Sequence, residues 1–332
     1  MKKNSCSISV VIPLLGGSAY ISPLFDALKK QTLRPSEIIF VISRVGDWRT
    51  AKKLVEQQNF TSIRPIIIEP AFPGAARNIG AKEAYSNWIA FLDIRTLPAH
   101  NWLENMLATA NKGSYDLISS KMICSAKTFF HHLLQASTYG NNAVECLPGS
   151  IVKKSLFLDS GGFLENVRAG EDWEWINRFA QKNKFIQQEE IVIFYHGLPN
   201  NIFQLIKKWF IYSFENSKVN ILLKEKFSYM GLAFFIFAIL LYRWNHIVSG
   251  EVWNEDALLF IPNLNKIFWS VFFFFYFLYR GIFKPISDKV ALSFLLPFSW
   301  IFVGALGLLI DLVKAPGRVH GSVKYLISHF QK

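Results

Sequence analysis

The sequence predicts an α/β fold: a doubly wound, mostly parallel sheet flanked by helices and followed by C-terminal transmembrane helices. Three observations carry this prediction. Short apolar runs of strand length alternate with helically spaced segments up to about residue 200. One of these runs, Trp88–Leu92, leads directly into an acid, Asp93. Beyond about residue 200 the apolar runs lengthen to what a bilayer requires.

The elements follow in order. Ser7–Leu15 (SISVVIPLL) reads as a buried first strand, ended by Gly16-Gly17. Tyr20–Thr32 places Leu24, Ala27 and Leu28 on one helical face. Glu37–Ser43 is a second strand, Trp48–Asn59 a second helix and Ile66–Glu69 a third strand. Gly74–Tyr85 is a helix that feeds the strand Trp88–Asp93. That last strand is apolar throughout, as expected of one covered on both faces. Asp93 therefore stands at the carboxyl end of a strand, where open α/β sheets collect ligands. A carboxylate there costs desolvation unless something pairs with it.

Composition narrows the partners. The chain has 332 residues, is 51% hydrophobic with 31 Phe, and carries a formal net charge of +12. Basic charge with high apolar content suits an anionic surface, either membrane or nucleic acid. The distribution favours membrane and opposes nucleic acid, since the basic residues cluster around the apolar runs. Val290–Ile310 is uncharged, while Tyr229–Val248 and Ile267–Phe283 are interrupted only by Arg243 and Arg280 near their ends. Buried helices of a soluble domain are the competing reading; soluble helices need a polar face, and Trp269–Tyr279 has almost none.

Asn200–Ser217 puts Ile202, Ile206, Trp209 and Phe210 on one face beside Lys207 and Lys208, the pattern of a helix lying in the membrane interface. An ordinary packing helix is the competing reading. The expected organisation is a globular domain over 1–199, an interfacial segment over 200–228, a membrane region over 229–313 and a basic tail over 314–332.

Met1–Ser9 is polar and leads straight into a strand, so no signal peptide is expected and the N-terminal domain is assigned to the cytoplasm. Lysines before the first span, with Lys284 and Lys289 later, suit the cytoplasmic side. The acidic loop Glu251–Asp256 suits the far side, and the basic tail from Lys314 conflicts with three spans. Two or three spans are expected. Cys6, Cys124 and Cys146 are too scattered for a metal knuckle or a disulfide framework and read as reduced core residues.

Five short motifs then point to a family. SVVIP at Ser9–Pro13, GAARNIGAKEA at Gly74–Ala84, FLD at Phe91–Asp93, GGF at Gly161–Phe163 and GEDWEW at Gly170–Trp175 occur in that order. Together they resemble family 2 glycosyltransferases of the GT-A fold, over about residues 7–200. The resemblance implies an inverting enzyme that moves a sugar from a nucleotide-sugar donor to a lipid-linked or saccharide acceptor. Such chemistry must neutralise a departing diphosphate and take a proton from the acceptor hydroxyl.

The resemblance implies roles for particular residues. Asp172 is the expected catalytic base, with Glu171 as a neighbour that orients or binds the acceptor; a pair of plain helix-start acids is the structural alternative. Arg77-Asn78 borders the nucleotide, where a guanidinium suits phosphate or ribose. Pro13 and Leu14–Gly17 form the floor beneath the base. Gly149 and Ser150, in Pro148-Gly149-Ser150, match a loop that closes over donor and acceptor, or are a plain turn. Trp173 and Trp175 stack on an acceptor or pack beneath their helix.

Two departures from the family pattern stand out. Leu14-Leu15 replaces a polar pair, and Ser43-Arg44 replaces the acids that usually end the second strand, leaving Asp47 the only acid nearby. That puts recognition of uracil in question. The second departure lies in the metal motif, where two acids usually hold Mg²⁺ or Mn²⁺. Asp93 fills the first place and Arg95 the second. Either a metal binds through Asp93, the diphosphate and His196, or Arg95 itself supplies the positive charge. The third option is that Arg95 turns away into a surface salt bridge.

The leading reading is a membrane-anchored transferase. The alternatives are a degenerate relative acting as a membrane scaffold, and a nucleotidyltransferase. The latter lacks the basic residue it needs in Leu14–Ser18.

Overall fold

The computed structural model describes residues 7–59, 62–241 and 263–330. Cys6, Arg243 and the Glu251–Asp256 loop lie outside the described residues, as does the second part of Tyr229–Val248. The chain divides into two units: residues up to Lys127 together with Asn142–Pro199, and Thr128–Asn141 together with the chain from Asn200 onward.

The first unit holds a sheet of eight strands among the described residues: β1 (Ile8–Leu14), β2 (Glu37–Ser43), β3 (Ile63–Ile68), β4 (Trp88–Phe91), β5 (Thr96–Pro98), β6 (Leu117–Cys124), β7 (Val144–Lys153) and β8 (Phe185–Tyr195). Their order is β3-β2-β1-β4-β7-β6-β8-β5. β3, β2, β1 and β4 run parallel, with Val11 of β1 opposite both Ile39 and Phe91. The expectation of a mostly parallel sheet holds for this half and for β6 beside β8. β7 runs antiparallel to both β4 and β6, and β5 antiparallel to β8, so the sheet is mixed. The four strands legible as apolar runs are β1 to β4; β6 and β8 carry polar residues such as Ser119, Ser120, Gln187 and Gln188, which hide them from a hydropathy reading.

Both faces of the sheet are covered, which explains the unbroken apolar runs. The helices α1 (Ile21–Lys29), α2 (Trp48–Glu56) and α4 (Trp102–Gly113) share one core with β1 and β2, in which Phe25, Phe40 and Trp102 are fully buried. α3 (Pro73–Glu83), α6 (Lys154–Asp159) and α7 (Glu171–Ala180) cover the other face around Phe91, Phe157, Phe163 and Trp175. At the amino edge of the parallel strands Glu37 is fully buried. It accepts hydrogen bonds from Ser9 Oγ at 2.6 Å, the Tyr85 N–H at 2.8 Å and Arg64 at 3.1 Å. The opposite, carboxyl edge is where β1 gives way to Gly16-Gly17, β2 to Arg44 and β4 to Asp93.

The second unit is helical. It comprises α5 (Phe129–Thr138), α8 (Ile202–Asn216), α9 (Leu223–Leu241), α10 (Asn263–Leu278), α11 (Lys284–Ser287), α12 (Leu292–Leu295) and α13 (Ser299–Phe330). A π-helical turn over Tyr279–Phe283 joins α10 to α11. α8, α9 and α5 pack on α13. On α8, Leu205 and Ser213 are buried while Ile202, Phe203 and Phe210 are exposed, so the predicted apolar face is only partly covered.

Two expected spans are revised. Val290–Ile310 is no single helix: α12 stops at Leu295 and α13 begins at Ser299, with Pro297, which has no N–H to continue the ladder, between them. The qualifying helix starts later and runs on through Pro316. Among the described residues one helix, Ser299–Ser328, is long and apolar enough to cross a membrane. Among the described residues α10 has 16 before the π-turn, too few to qualify alone. Its partly buried Arg280 pairs with Asp311 of α13 at 2.8 Å, and the Tyr229 and Tyr276 hydroxyls donate to the same carboxylate.

Candidate active site

The site is built from the carboxyl edge of the parallel strands and the first turns of two helices. α3 opens with Pro73 at its first position, where a missing N–H costs nothing. Gly74 follows because nothing larger fits: a Cβ there would lie 2.4 Å from Leu164 O and 3.2 Å from Glu171 Cγ. This pins the start of α3 against the loop after α6 and against α7. One turn later Arg77 and Asn78 project from α3 in two directions.

Asn78 clamps the Gly161–Phe163 loop. Its Oδ1 accepts the Phe163 N–H and its Nδ2 donates to Phe163 O, both at 2.9 Å, with a further bond to Glu165. Asn78 was expected to contact the donor; its amide is instead consumed by this loop, and it is buried. Gly162 adopts φ +67, and a Cβ on it would meet Asn78 Oδ1 at 2.5 Å.

Arg77 joins two acids that are distant in sequence. Nη1 donates to Glu171 Oε1 at 2.8 Å and Nη2 to Asp93 Oδ1 at 2.7 Å. The guanidinium lies 5.8 Å from the centre of the Phe163 ring. Its side chain is 5% exposed, as is that of Glu171, whereas Asp93 is 35% exposed. Arg77 was expected to touch phosphate or ribose, but its terminal nitrogens are already engaged within the protein. Asp93 is held by a tight turn in which Thr96 Oγ1 donates to Asp93 O at 2.6 Å and the Thr96 N–H to the same oxygen at 3.0 Å.

α7 delivers the predicted base. Gly170 precedes it at φ 90, and Glu171, Asp172 and Glu174 occupy its first turn, where the helix dipole favours negative charge. Arg178 locks this helix to the Gly161–Phe163 loop. It pairs with Glu174 at 2.8 Å, donates to Gly162 O at 2.7 Å and also bonds to Ser160 O. Asp172 Oδ1 accepts the N–H of Trp173 at 2.8 Å.

One guanidinium thus faces three carboxylates, Asp93, Glu171 and Asp172, and cannot balance all three when ionised. Burial, then the charge of Asp172, pushes the Glu171 carboxyl up to about 7, against the pull of Arg77. Burial also raises Asp172 above the usual carboxylate range, with Arg77 opposing. Arg77 is itself held charged by Asp93 and Glu171 despite burial. Both carboxyls of the Glu171–Asp172 pair are thereby biased toward the protonated form.

The Arg95 side lies across the same edge. Arg95 is exposed and makes no ion pair among the described residues, so the surface salt bridge is not found. Its guanidinium sits 5.5 Å from the centre of the Tyr20 ring. Tyr20 was read only as a helix start, and its position under a cation had no signal in the sequence. Asp47 was expected to meet the donor base, yet its carboxylate accepts the N–H groups of Gly17 and Ser18 at 3.2 and 3.0 Å. Ser18 holds that carboxyl below its usual range. Asp47 therefore shapes the Gly16-Gly17 loop. Pro13 is buried within β1, opposite Val41.

His196 follows β8, and its N–H donates to Arg95 O at 2.9 Å. Its Nδ1 is buried without a hydrogen-bond partner, and burial, then Lys127, lowers its pKa. Among the described residues no three His, Cys, Asp or Glu side chains are grouped to hold a metal. Asp93 Oδ1 is already committed to Arg77, and a cation stands where the second acid would be. These side chains do not fit a divalent ion held by the protein alone.

Three expected acceptor contacts are corrected. Gly149 and Ser150 form no loop: they lie inside β7 and are buried. Gly149 O accepts from Trp102 Nε1 at 2.7 Å, and Ser150 Oγ bridges Cys146 O and the Ser120 N–H at 2.9 Å each. The Pro-Gly pair sits where the β6–β7 register shifts between Ile118 and Ser120, which lets a strand carry residues that otherwise read as a turn. Trp175 is fully buried, with Nε1 on Ser160 Oγ at 2.9 Å, so it packs rather than stacks on a ligand. Trp173, 39% exposed beside Asp172, is the tryptophan left for an acceptor.

Residues 9–158 match the model of glycosyl transferase family 2. An uncharacterized glycosyltransferase of Haemophilus influenzae is 22% identical over 191 residues, 54% of this chain and 63% of that protein. The pre-mycofactocin glycosyltransferase of Mycobacterium tuberculosis is 25% identical over 139 residues, 37% of this chain and 30% of its own length. The chain thus spans less than two thirds of the length of both these relatives. Among solved structures, Staphylococcus aureus TarS 1-349 in complex with UDP-GlcNAc aligns with a TM-score of 0.48 at 16% identity, covering 91% of this chain and 90% of that one.

Proposed function

We propose that the chain is a membrane-anchored, inverting glycosyltransferase of family 2, the family whose model residues 9–158 match. The observation that carries the proposal is the convergence of Asp93, Arg77, Glu171 and Asp172, from three separate segments, at the carboxyl edge of β1 and β4. The donor is a nucleotide sugar and the acceptor a lipid-linked or saccharide hydroxyl. The Ser299–Ser328 helix and the exposed apolar residues of α8 support a membrane setting. The catalytic unit is assigned to the cytoplasmic side.

In the proposed step the acceptor oxygen attacks the anomeric carbon as the bond from that carbon to the diphosphate oxygen breaks. Asp172 takes the hydroxyl proton, and the nucleoside diphosphate leaves with the bonding electrons. The step requires that any proton retained by the pair sit on Glu171, leaving Asp172 ionised. Arg95, unpaired and exposed, moves from Tyr20 to the diphosphate and offsets its growing charge. The Gly16-Gly17 loop, tied down by Asp47, supplies close main-chain approach to the nucleotide.

The test is turnover of a panel of UDP-, GDP-, dTDP- and CMP-sugars by the purified full chain, with and without EDTA. Donor hydrolysis or transfer of any one supports the proposal. Binding without turnover across the panel points instead to a non-catalytic scaffold.

A further inference from the structure

We propose that Arg77 is a positioning residue: one buried guanidinium that ties Asp93, on the diphosphate side, to the Glu171–Asp172 pair on the acceptor side. This inference rests on the transferase reading and adds to it a link between the two halves of the site.

The geometry leaves Arg77 no other role. Its Nη1 and Nη2 are spent on Glu171 and Asp93 at 2.8 and 2.7 Å. Its Nε is buried without a partner, and the Phe163 ring lies 5.8 Å from the guanidinium. A donor phosphate would have to reach a guanidinium that is 5% exposed and already pairs with two carboxylates. Its placement is also over-determined. Gly74 admits no side chain against Leu164 and Glu171, and Asn78 holds Phe163 by both main-chain groups. The planar fork reaches two acids on separate segments at once, which a lysine ammonium on a flexible stem does not reproduce.

The consequence is electrostatic. Asp93 is the partly exposed member of the network, so whatever charge arrives beside it alters how much of Arg77 remains for Glu171 and Asp172. The other titratable groups facing the cluster are Cys146 of β7 and Tyr195 of β8. Burial raises both, so they stay neutral around neutral pH. The charge opposing protonation of the pair is therefore that of Arg77.

Arg77→Lys and Arg77→Gln in the full chain test this. Three readouts are needed: thermal unfolding between pH 4.5 and 8, dissociation constants for the nucleotide-sugar panel, and the pH profile of turnover. The expected result is donor affinity within about threefold of wild type and kcat down by about a hundredfold or more. In Arg77→Gln the acid limb of the profile moves to higher pH, because the base loses its counter-charge. Tenfold weaker donor binding with an unchanged profile would make Arg77 a ligand and overturn the proposal. An unchanged pH profile with only a lowered unfolding temperature would reduce it to a packing residue. If wild type turns over no sugar in the panel, the transferase reading fails by itself. The link is then still judged by unfolding: a pH dependence identical in wild type and Arg77→Gln overturns it.

Discussion

Arg77 and Glu171 stand 94 positions apart in the chain and meet at 2.8 Å, both almost completely buried. The pair joins the helix that follows β3 to the helix that presents the predicted base. A buried ion pair is weak support for stability, because desolvation offsets much of the attraction. What it supplies here is placement and a protonation state.

Stability should fall as pH rises through the range in which Glu171 titrates. The folded carboxyl is raised from its ordinary 4.5 to about 7, so between those values the native state binds more protons than the unfolded chain. The stabilisation is fully present below about 4.5 and is lost as pH passes about 7, by at most about 3 kcal/mol from this group. Glu171→Gln should flatten that slope; chemical unfolding of wild type and variant at pH 5 and pH 8 measures it. An equally steep slope in the variant assigns the proton elsewhere.

Asp172→Asn should lower turnover by about 10²–10⁴-fold, the usual contribution of a positioned general base. Donor affinity, measured by calorimetry, should stay near wild type. The Trp173 N–H still finds the amide oxygen, so the first turn of α7 keeps its shape. Wild-type turnover in this variant removes Asp172 from the mechanism.

Arg95→Ala should reduce kcat by about 10²-fold or more with little loss of fold, since the side chain is exposed and touches only the Tyr20 face. If Arg95 offsets the charge of the leaving group, wild-type activity survives EDTA. Complete loss in EDTA, restored by Mg²⁺ or Mn²⁺, would return the charge to a metal held through Asp93 and His196.

Trp175→Ala should cost about 3–5 kcal/mol, as a large aromatic deletion from a closed core does. Trp175 packs on Phe163 and Phe179 with ring centroids 5.0 Å apart, and both walls of the cluster support α7. Trp173→Ala should instead leave the unfolding midpoint nearly unchanged and raise KM for the acceptor. Opposite outcomes would exchange the roles of the two tryptophans.

Much of this was legible in the residues themselves. The parallel strands announced themselves as apolar runs because helices cover both faces of that half of the sheet, and period and length are enough to recognise such runs. Asp93, Glu171 and Asp172 were visible as acids at a strand end and a helix start, since both positions follow from local geometry. The overlong apolar runs after residue 200 also needed no tertiary information.

Only the tertiary structure decided which side chains face a ligand and which face one another. Arg77, Asn78 and Asp47 were all polar residues beside the expected nucleotide, and all three spend their polar atoms on the protein: on two acids, on a loop and on a loop again. Gly149-Ser150 looked like a loop and lies in a buried strand, because a register shift with β6 accommodates it. Trp173 and Trp175 differ by two positions on one helix, a rotation of about 200° that puts one outside and one in the core. A hydrogen bond is satisfied by whatever lies within about 3 Å, and sequence separation does not determine that. The residue types that make the site possible were set by the sequence; the folded contacts settled which are free to act.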